Sequence, residues 1–175
     1  MSNHVDWVVG YAKQAMADFL AWNVLQSNPR VATCQRLHFL QMACEKLVKA
    51  HLCQAGSIPE VLRTSHAYVA KNLPIIARQH LAKMRRKPPS RHDVLLRQIK
   101  HLAREIELLA PAVDDNGQRP DNCEYPWSVG GQVLVPAEYP FGNLSLLTAP
   151  AGRTLLKILH DAIVRLLTDA SSFEN

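Results

Sequence analysis

Glycine and aromatic residues are scarce in this chain of 175 residues, with seven Gly and a combined Phe, Trp and Tyr content of 6%. No stretch approaches the roughly 18 consecutive apolar residues of a membrane helix, and the first residues lack a signal-peptide pattern. The sequence also contains no Gly-rich phosphate loop, no Gly-x-Ser-x-Gly turn and no His-Glu-x-x-His helix. These absences argue against a membrane protein, a P-loop NTPase, a serine hydrolase and a zincin.

Cysteine is sparse as well, and the four residues do not form a disulfide-scaffold pattern. Three of them, Cys34, Cys44 and Cys53, fall in one helical stretch without a paired Cys-x-x-Cys spacing. This placement indicates buried thiols in a reducing compartment, so the sequence predicts a cytoplasmic protein and no metal or cofactor. A chain of this length buries about 70% of its unfolded surface, which supports a core without disulfides.

Apolar residues at helical spacing predict five long helices, and proline or glycine ends most of them. The predicted helices span residues 6–26, 31–54, 67–84, 91–109 and 150–169, with a short helical turn over 59–63. Pro74 either kinks the third long helix or falls in its first turn, and Ser90 is the expected N-cap of the fourth.

Residues 111–150, called the insert below, have a different composition, since they hold six of the chain's 11 Pro and four of its seven Gly. Two short apolar segments, 125–129 and 132–135, flank Gly130-Gly131 and predict a small β-hairpin. We therefore expect a single all-α domain over residues 1–175. Its predicted architecture is an up-and-down bundle of four or five helices with the insert packed on it before the last helix.

The formal net charge of +5 is unevenly distributed. Residues 71–104 contain ten Lys and Arg and one acid, a net +9, whereas the insert carries one base and five acids, a net −4. This basic stretch favours a phosphate-rich partner, unless the two zones neutralise each other. Its candidate nucleic-acid-binding residues are Arg85, Arg97, His101 and Arg104. The last three fall on one helix face; the alternative is that this face is only exposed to solvent and binds nothing.

Residues 37–52, with the sequence LHFLQMACEKLVKAHL, resemble the second helix of HEPN domains. Those helices typically carry an acid, two apolar residues, Lys-Ala and a further apolar pair. The matching residues here are Glu45, Leu47, Lys49, Ala50 and Leu52. Further along the chain, Ser65-His66 looks like the pair that opens the next HEPN helix, and Cys123-Glu124-Tyr125-Pro126 occupies the place of an Arg-Tyr-Pro stretch.

The resemblance implies an all-α bundle, commonly a homodimer, associated with RNA or nucleotides. Many HEPN proteins are metal-independent endoribonucleases, and others have lost catalysis. Several are encoded with a nucleotidyltransferase partner or act in toxin–antitoxin and phage-defence systems. The alternative is a catalytically inactive helical module that binds a partner protein, because Glu124 places an acid where many relatives have a phosphate-attracting Arg.

Catalytic HEPN domains use an Arg and a following His that are separated by four to six residues. RNA cleavage through its own 2′-hydroxyl needs proton transfer, which histidine performs near neutral pH, and phosphate binding, which arginine performs. Two pairs have a compatible spacing, Arg86 with His92 and Arg153 with His160.

Two further candidates depend on their surroundings. Glu45 either orients a catalytic histidine or makes an exposed i,i+4 pair with Lys49. His66 either serves the site or caps the following helix.

Overall fold

The computed structural model describes residues 4–83, 89–113 and 119–171, with side chains throughout except at 89–92, 170 and 171. It is an all-α bundle with one small antiparallel hairpin before the last helix, which confirms the predicted fold class. The helices are α1 (His4–Gln26), α2 (Thr33–Gln54), α3 (Pro59–Arg63), α4 (Val69–Lys83), α5 (Pro89–Glu107) and α6 (Pro150–Ser171). The strands are β1 (Trp127–Val129) and β2 (Gln132–Leu134).

Helix α2 occupies the centre of the bundle and contacts α1, α4, α5 and α6. α1 packs along α2 and α6, while α4 packs against α5. Large aliphatic side chains from these helices fill the core, and each contributes about 1.5–3 kcal/mol through its burial. The largest fully buried ones are Leu40, Leu47, Leu73, Ile99, Leu102, Ile106, Leu155, Ile158, Leu159 and Ile163.

Two local predictions at helix starts are resolved by the structure. Pro74 lies inside α4, beyond its first turn, where it cannot donate a backbone hydrogen bond to the carbonyl of Ala70. The prediction that Ser90 caps the fourth long helix is wrong, because α5 begins one residue earlier, at Pro89. Proline suits the first turn of a helix, where its missing N–H leaves no hydrogen bond unmade.

The hairpin of the insert forms as expected. β1 and β2 pair antiparallel with Trp127 opposite Leu134, and the turn residues Gly130 and Gly131 have φ angles of 58° and 82°. Positive φ at both central positions is the requirement of a type I′ turn, which glycine meets without strain. The Tyr139 ring makes edge-on contacts with Trp127 and Phe141, both with ring centroids 5.0 Å apart, and Phe141 belongs to the hydrophobic core.

A half-buried arginine attaches the insert to α5. Arg119 donates from Nη1 to both carboxylate oxygens of Glu105, at 2.9 and 3.1 Å, and from Nε and Nη2 to Asp121, at 3.1 and 3.2 Å. The bonds to Asp121, and then those to Glu105, raise the pKa of Arg119 even though burial opposes them. The backbone N–H of Cys123 also donates to the carbonyl of Leu109, so this part of the insert is joined to the bundle.

The four cysteines are buried free thiols, which confirms the prediction made for the three on α2. Within the described ranges, no helix has both the length and the apolar character needed to cross a membrane.

We expect Gly152→Ala to lower the free energy of unfolding by about 1–3 kcal/mol, since overpacking has this effect. A Cβ at this position would lie 2.3 Å from the carbonyl oxygens of Leu146 and Leu147, and these are backbone atoms that cannot rotate away. Urea denaturation followed by circular dichroism measures the change. The matched control is Gly10→Ala in α1, where nothing lies within 4 Å. It should stabilise the protein by about 0.5–1 kcal/mol, and equal effects of both substitutions would contradict the proposed steric cause.

Candidate functional site

A row of polar side chains lies on the inward face of α2. Gln41, Glu45 and Lys49 are spaced four residues apart, which places them on one side of the helix. Their exposed fractions are only 2%, 3% and 4%. Charged residues are almost never fully buried unless they are paired, so this row is the first feature of the core that hydrophobic packing does not explain.

Glu45 is the acceptor at the centre of this cluster. Its Oε1 accepts from Lys49 Nζ at 2.6 Å, and its Oε2 accepts from Gln41 Nε2 at 2.9 Å and lies 3.0 Å from His66 Nδ1. Burial acts to raise the pKa of the Glu45 carboxyl, but the bonds from Lys49, His66 and Gln41 together lower it below its ordinary value. The carboxylate is therefore ionised at neutral pH.

This geometry bears on two expectations, the exposure of the pair of Glu45 with Lys49 and the role of His66. The expected pair of Glu45 with Lys49 exists, but the prediction that it is exposed is wrong, because both side chains are inside the bundle. The predicted role of His66 as a helix cap does not hold, since its Nδ1 bonds the Glu45 carboxylate instead. Glu45 could be singled out from the sequence because it is an acid on the buried face of α2. Helical periodicity alone does not tell which residue of another segment contacts Glu45.

The contact with Glu45 also assigns the tautomer of His66. An ionised carboxylate only accepts hydrogen bonds, so Nδ1 must carry the proton. In a neutral imidazole, Nε2 is then the basic nitrogen, and the side chain is 41% exposed. A solvent-accessible imidazole held by a buried carboxylate is the arrangement that general acid–base catalysis uses.

A second carboxylate lies beside the start of α4. Glu107 Oε2 accepts the backbone N–H of Ala70 at 2.9 Å. Burial raises the pKa of Glu107, and the nearby charge of Glu45 acts in the same direction, whereas the backbone bonds from Ala70 and Val69 oppose the rise. The pKa values of Glu45 and Glu107 are thus shifted in opposite directions, a pattern found in acid–base sites.

A surface groove runs between α4 and α5. Its floor is apolar and its sides carry cationic side chains. We call it the basic groove; its cations are Lys71, Arg78, Arg97 and Lys100, its acid is Asp93, and its floor includes Pro74, Ile75 and Leu96. Within the described part of the chain, none of the four cations makes an ion pair or a side-chain hydrogen bond. With four cations and one acid in its lining, the groove therefore carries an excess of positive charge from the basic stretch.

The described acids of the insert do not neutralise the basic groove. Asp121 pairs with Arg119 of the insert itself, and Glu124 lies 3.4 Å from His38 Nδ1 on α2. Glu138 is exposed and has no ion pair among the described residues. Asp114 and Asp115 lie outside the described ranges.

The Arg153 and His160 side chains, on α6, take separate partners. Arg153 Nη1 donates to the carbonyl of Thr148 at 2.5 Å. The His160 ring lies 5.8 Å from the ring of Phe19, and its Nδ1 is 3.5 Å from an oxygen of Asp161. Neither side chain contacts Glu45, so the structure does not bring this pair together with the buried carboxylate.

The other predicted site residues fall on or beside α5. Arg85 and Arg86 lie outside the described ranges, and the side chain of His92 is likewise not described, so the spacing of Arg86 and His92 stays a prediction. Arg97, His101 and Arg104 are exposed on α5, and of these three Arg97 lines the basic groove.

Among the described residues, no group of three or more His, Cys, Asp or Glu side chains is placed to hold a metal ion. Comparisons with protein-family models, with curated proteins and with solved structures find no match. The resemblance to HEPN domains therefore stays a prediction carried by residues 37–52 and the motifs that follow them.

We expect Lys49→Met to lower the free energy of unfolding by about 3–5 kcal/mol, because it leaves the Glu45 carboxylate buried without its cation. Chemical denaturation at pH 7 measures this loss. The double variant Glu45→Gln/Lys49→Met should be more stable than Lys49→Met alone, since it removes the unpaired charge.

The matched control is Lys157→Met, which breaks an exposed pair of the same i,i+4 spacing with Asp161. The Lys157 side chain is 64% exposed, so we expect a change below about 0.5 kcal/mol. Equal losses of unfolding free energy in Lys49→Met and Lys157→Met would show that the buried pair contributes no more to stability than the exposed one.

Proposed function

We propose that this protein binds RNA or nucleotides through the basic groove between α4 and α5. The observation that carries the proposal is the set of four groove cations, which face a single lining acid, Asp93, and form no ion pair among the described residues. Positive charge held in a concave surface attracts phosphates and releases their counterions on binding. The resemblance to HEPN domains points to the same class of ligand.

The distribution of the cations suits a chain of phosphates better than one isolated phosphate. Lys71 and Arg78 are two helical turns apart, which corresponds to about 10 Å along α4, and Arg97 and Lys100 lie on the facing side. Among the described residues, no aromatic side chain lines the groove, so these residues offer bases no stacking platform. Binding should therefore be sequence-tolerant and should weaken steeply with salt.

A second candidate function, metal-independent endoribonuclease, is favoured by the pair of Glu45 and His66. His66 precedes Ala70, the first groove residue on α4, by four positions in the chain. In this proposal Nε2 of His66 takes the proton of a 2′-hydroxyl, whose oxygen attacks the adjacent phosphorus. The bond to the 5′-oxygen breaks, a cyclic phosphate remains, and the leaving oxygen takes a proton from water.

The homodimer and the nucleotidyltransferase-type partner remain predictions of the resemblance. A non-catalytic module that binds a partner protein is the alternative, and it differs from the nuclease in one measurable respect: the groove would bind while no RNA is cleaved. The two experiments below separate binding from cleavage.

For binding, we expect Arg97→Gln/Lys100→Gln to weaken the affinity for single-stranded RNA about tenfold at low salt. The slope of log K against log salt should fall by about 1.4, since each phosphate contact with a single strand contributes about 0.7. Fluorescence anisotropy of a labelled oligoribonucleotide over a series of KCl concentrations gives both values.

The matched control removes two exposed cations away from the groove, in Lys13→Gln/Arg30→Gln. It makes the same change in net charge and should leave the slope unchanged. An equal loss in both double variants would show that overall charge, and not the groove, attracts RNA.

For cleavage, purified protein is incubated with RNA in the presence of EDTA. His66→Ala should lower the cleavage rate by at least about 100-fold, the usual contribution of a general base, while RNA affinity is retained. His160→Ala and His92→Ala test the residues suggested by the HEPN spacing. If either of these variants lost cleavage while His66→Ala kept it, His66 would have no part in the mechanism. If the protein bound RNA but did not cleave it, the non-catalytic alternative would be supported.

A further inference from the structure

A second cavity lined by charged side chains lies on a different side of α4, between α2, α4 and α6. It is a surface cavity of about 170 Å³. Two histidines, one arginine, one lysine and one aspartate contribute to its lining: His51 from α2, His80 and Lys83 from α4, and Arg165 and Asp169 from α6. None of these residues lines the basic groove, so the cavity is a separate site.

The histidine from α2 has an unmet hydrogen-bonding capacity. Its Nε2 atom is buried and has no hydrogen-bond partner among the described residues. Buried polar groups are nearly always paired in folded proteins, so an unpaired ring nitrogen in the wall of a polar cavity calls for a partner. Gln54 and Gln79 add side-chain amides to the same wall.

The charges around the cavity favour a negatively charged partner. Burial, together with the positive charges of Arg165 and Lys83, lowers the pKa of His51 to about 4. Burial lowers the pKa of His80 as well. Asp161, 3.5 Å from its Nε2, acts to raise this pKa, whereas the cations Arg165, Lys157 and Lys83 act to lower it. Both histidines are therefore neutral at pH 7 in a positive local field.

We propose that this cavity binds a phosphate-type oxyanion, free or as the terminal group of a small molecule. Arg165 and Lys83 supply the opposing charges, and His51, with the two glutamine amides, supplies neutral donors. A tetrahedral oxyanion presents several acceptor oxygens at once, which matches a wall built from a guanidinium fork, an ammonium group, imidazoles and amides. Asp169 is the one carboxylate of the lining, and it leaves the two fixed cations in excess.

Proton uptake accompanies the proposed binding. An oxyanion beside His51 favours the charged imidazolium, so the pKa of His51 rises when the cavity is filled. The charged groups that face the two histidines from α4 and α6 are the cations Lys83 and Arg165 and the acids Asp161 and Asp169. Because the pKa of His51 before binding is about 4, the proton uptake should grow as the pH falls towards 5.

The test titrates inorganic phosphate, and separately adenosine monophosphate, into the full chain at ionic strength held constant with KCl. Binding is measured by calorimetry, and the histidine ring signals are followed by NMR spectroscopy. We expect saturable shifts of His51 and His80, a rise of about one unit or more in the pKa of His51, and no shift of the exposed His160. Phosphate alone or both ligands binding would support the proposal and identify the source of the oxyanion.

Variants localise the effect. Arg165→Gln and Lys83→Gln should each weaken binding about tenfold, and both positions are exposed, so the fold is not at risk. Arg153→Gln removes an exposed cation from the same helix and should leave the affinity unchanged, whereas the groove variant Arg97→Gln/Lys100→Gln should leave the ligand-induced shifts of His51 unchanged. Failure of both ligands to shift His51 saturably, or equal losses in Arg153→Gln and Arg165→Gln, would overturn the proposal without affecting the function proposed for the groove.

Discussion

The buried ion pair of Glu45 and Lys49 is the constraint on which the arrangement around α2 depends. A central helix of a bundle would ordinarily carry only apolar residues on its inward face, yet α2 carries a carboxylate there. That carboxylate is tolerable because lysine, glutamine and histidine each contribute a hydrogen bond to it. The same bonds connect α2 to the segment before α4 through His66, so one buried charge fixes both the interior of the bundle and the position of the accessible imidazole.

The helices and the hairpin could be predicted because their signals are local. Apolar spacing defines each helix, and Gly130-Gly131 defines the turn through its own backbone conformation. The candidate site could be predicted only in part, since the approach of His66 to Glu45 joins residues 21 positions apart. The cavity beside His51 was beyond the reach of periodicity altogether, because it depends on side chains from three helices that meet only after packing.

The charge asymmetry that is visible in the composition has a structural counterpart on two helices. The basic groove uses one side of α4 and α5, and the described acids of the insert take partners elsewhere. The mildly positive net charge therefore combines an exposed cationic surface with an acidic segment in which Asp121 pairs with Arg119 of the same segment and Glu124 with His38 of α2. Net charge describes such a molecule poorly, since a ligand meets the local field and not the average.

Arg119 has a consequence for how a ligand reaches that surface. Two of its four hydrogen bonds join the insert to Glu105, which projects from a different side of α5 than Arg97 and Lys100. To swing over the basic groove, this part of the insert would have to break the ion pair of Arg119 with Glu105 and withdraw Phe141 from the core. The described part of the insert is therefore a fixed wall of the bundle and not a lid.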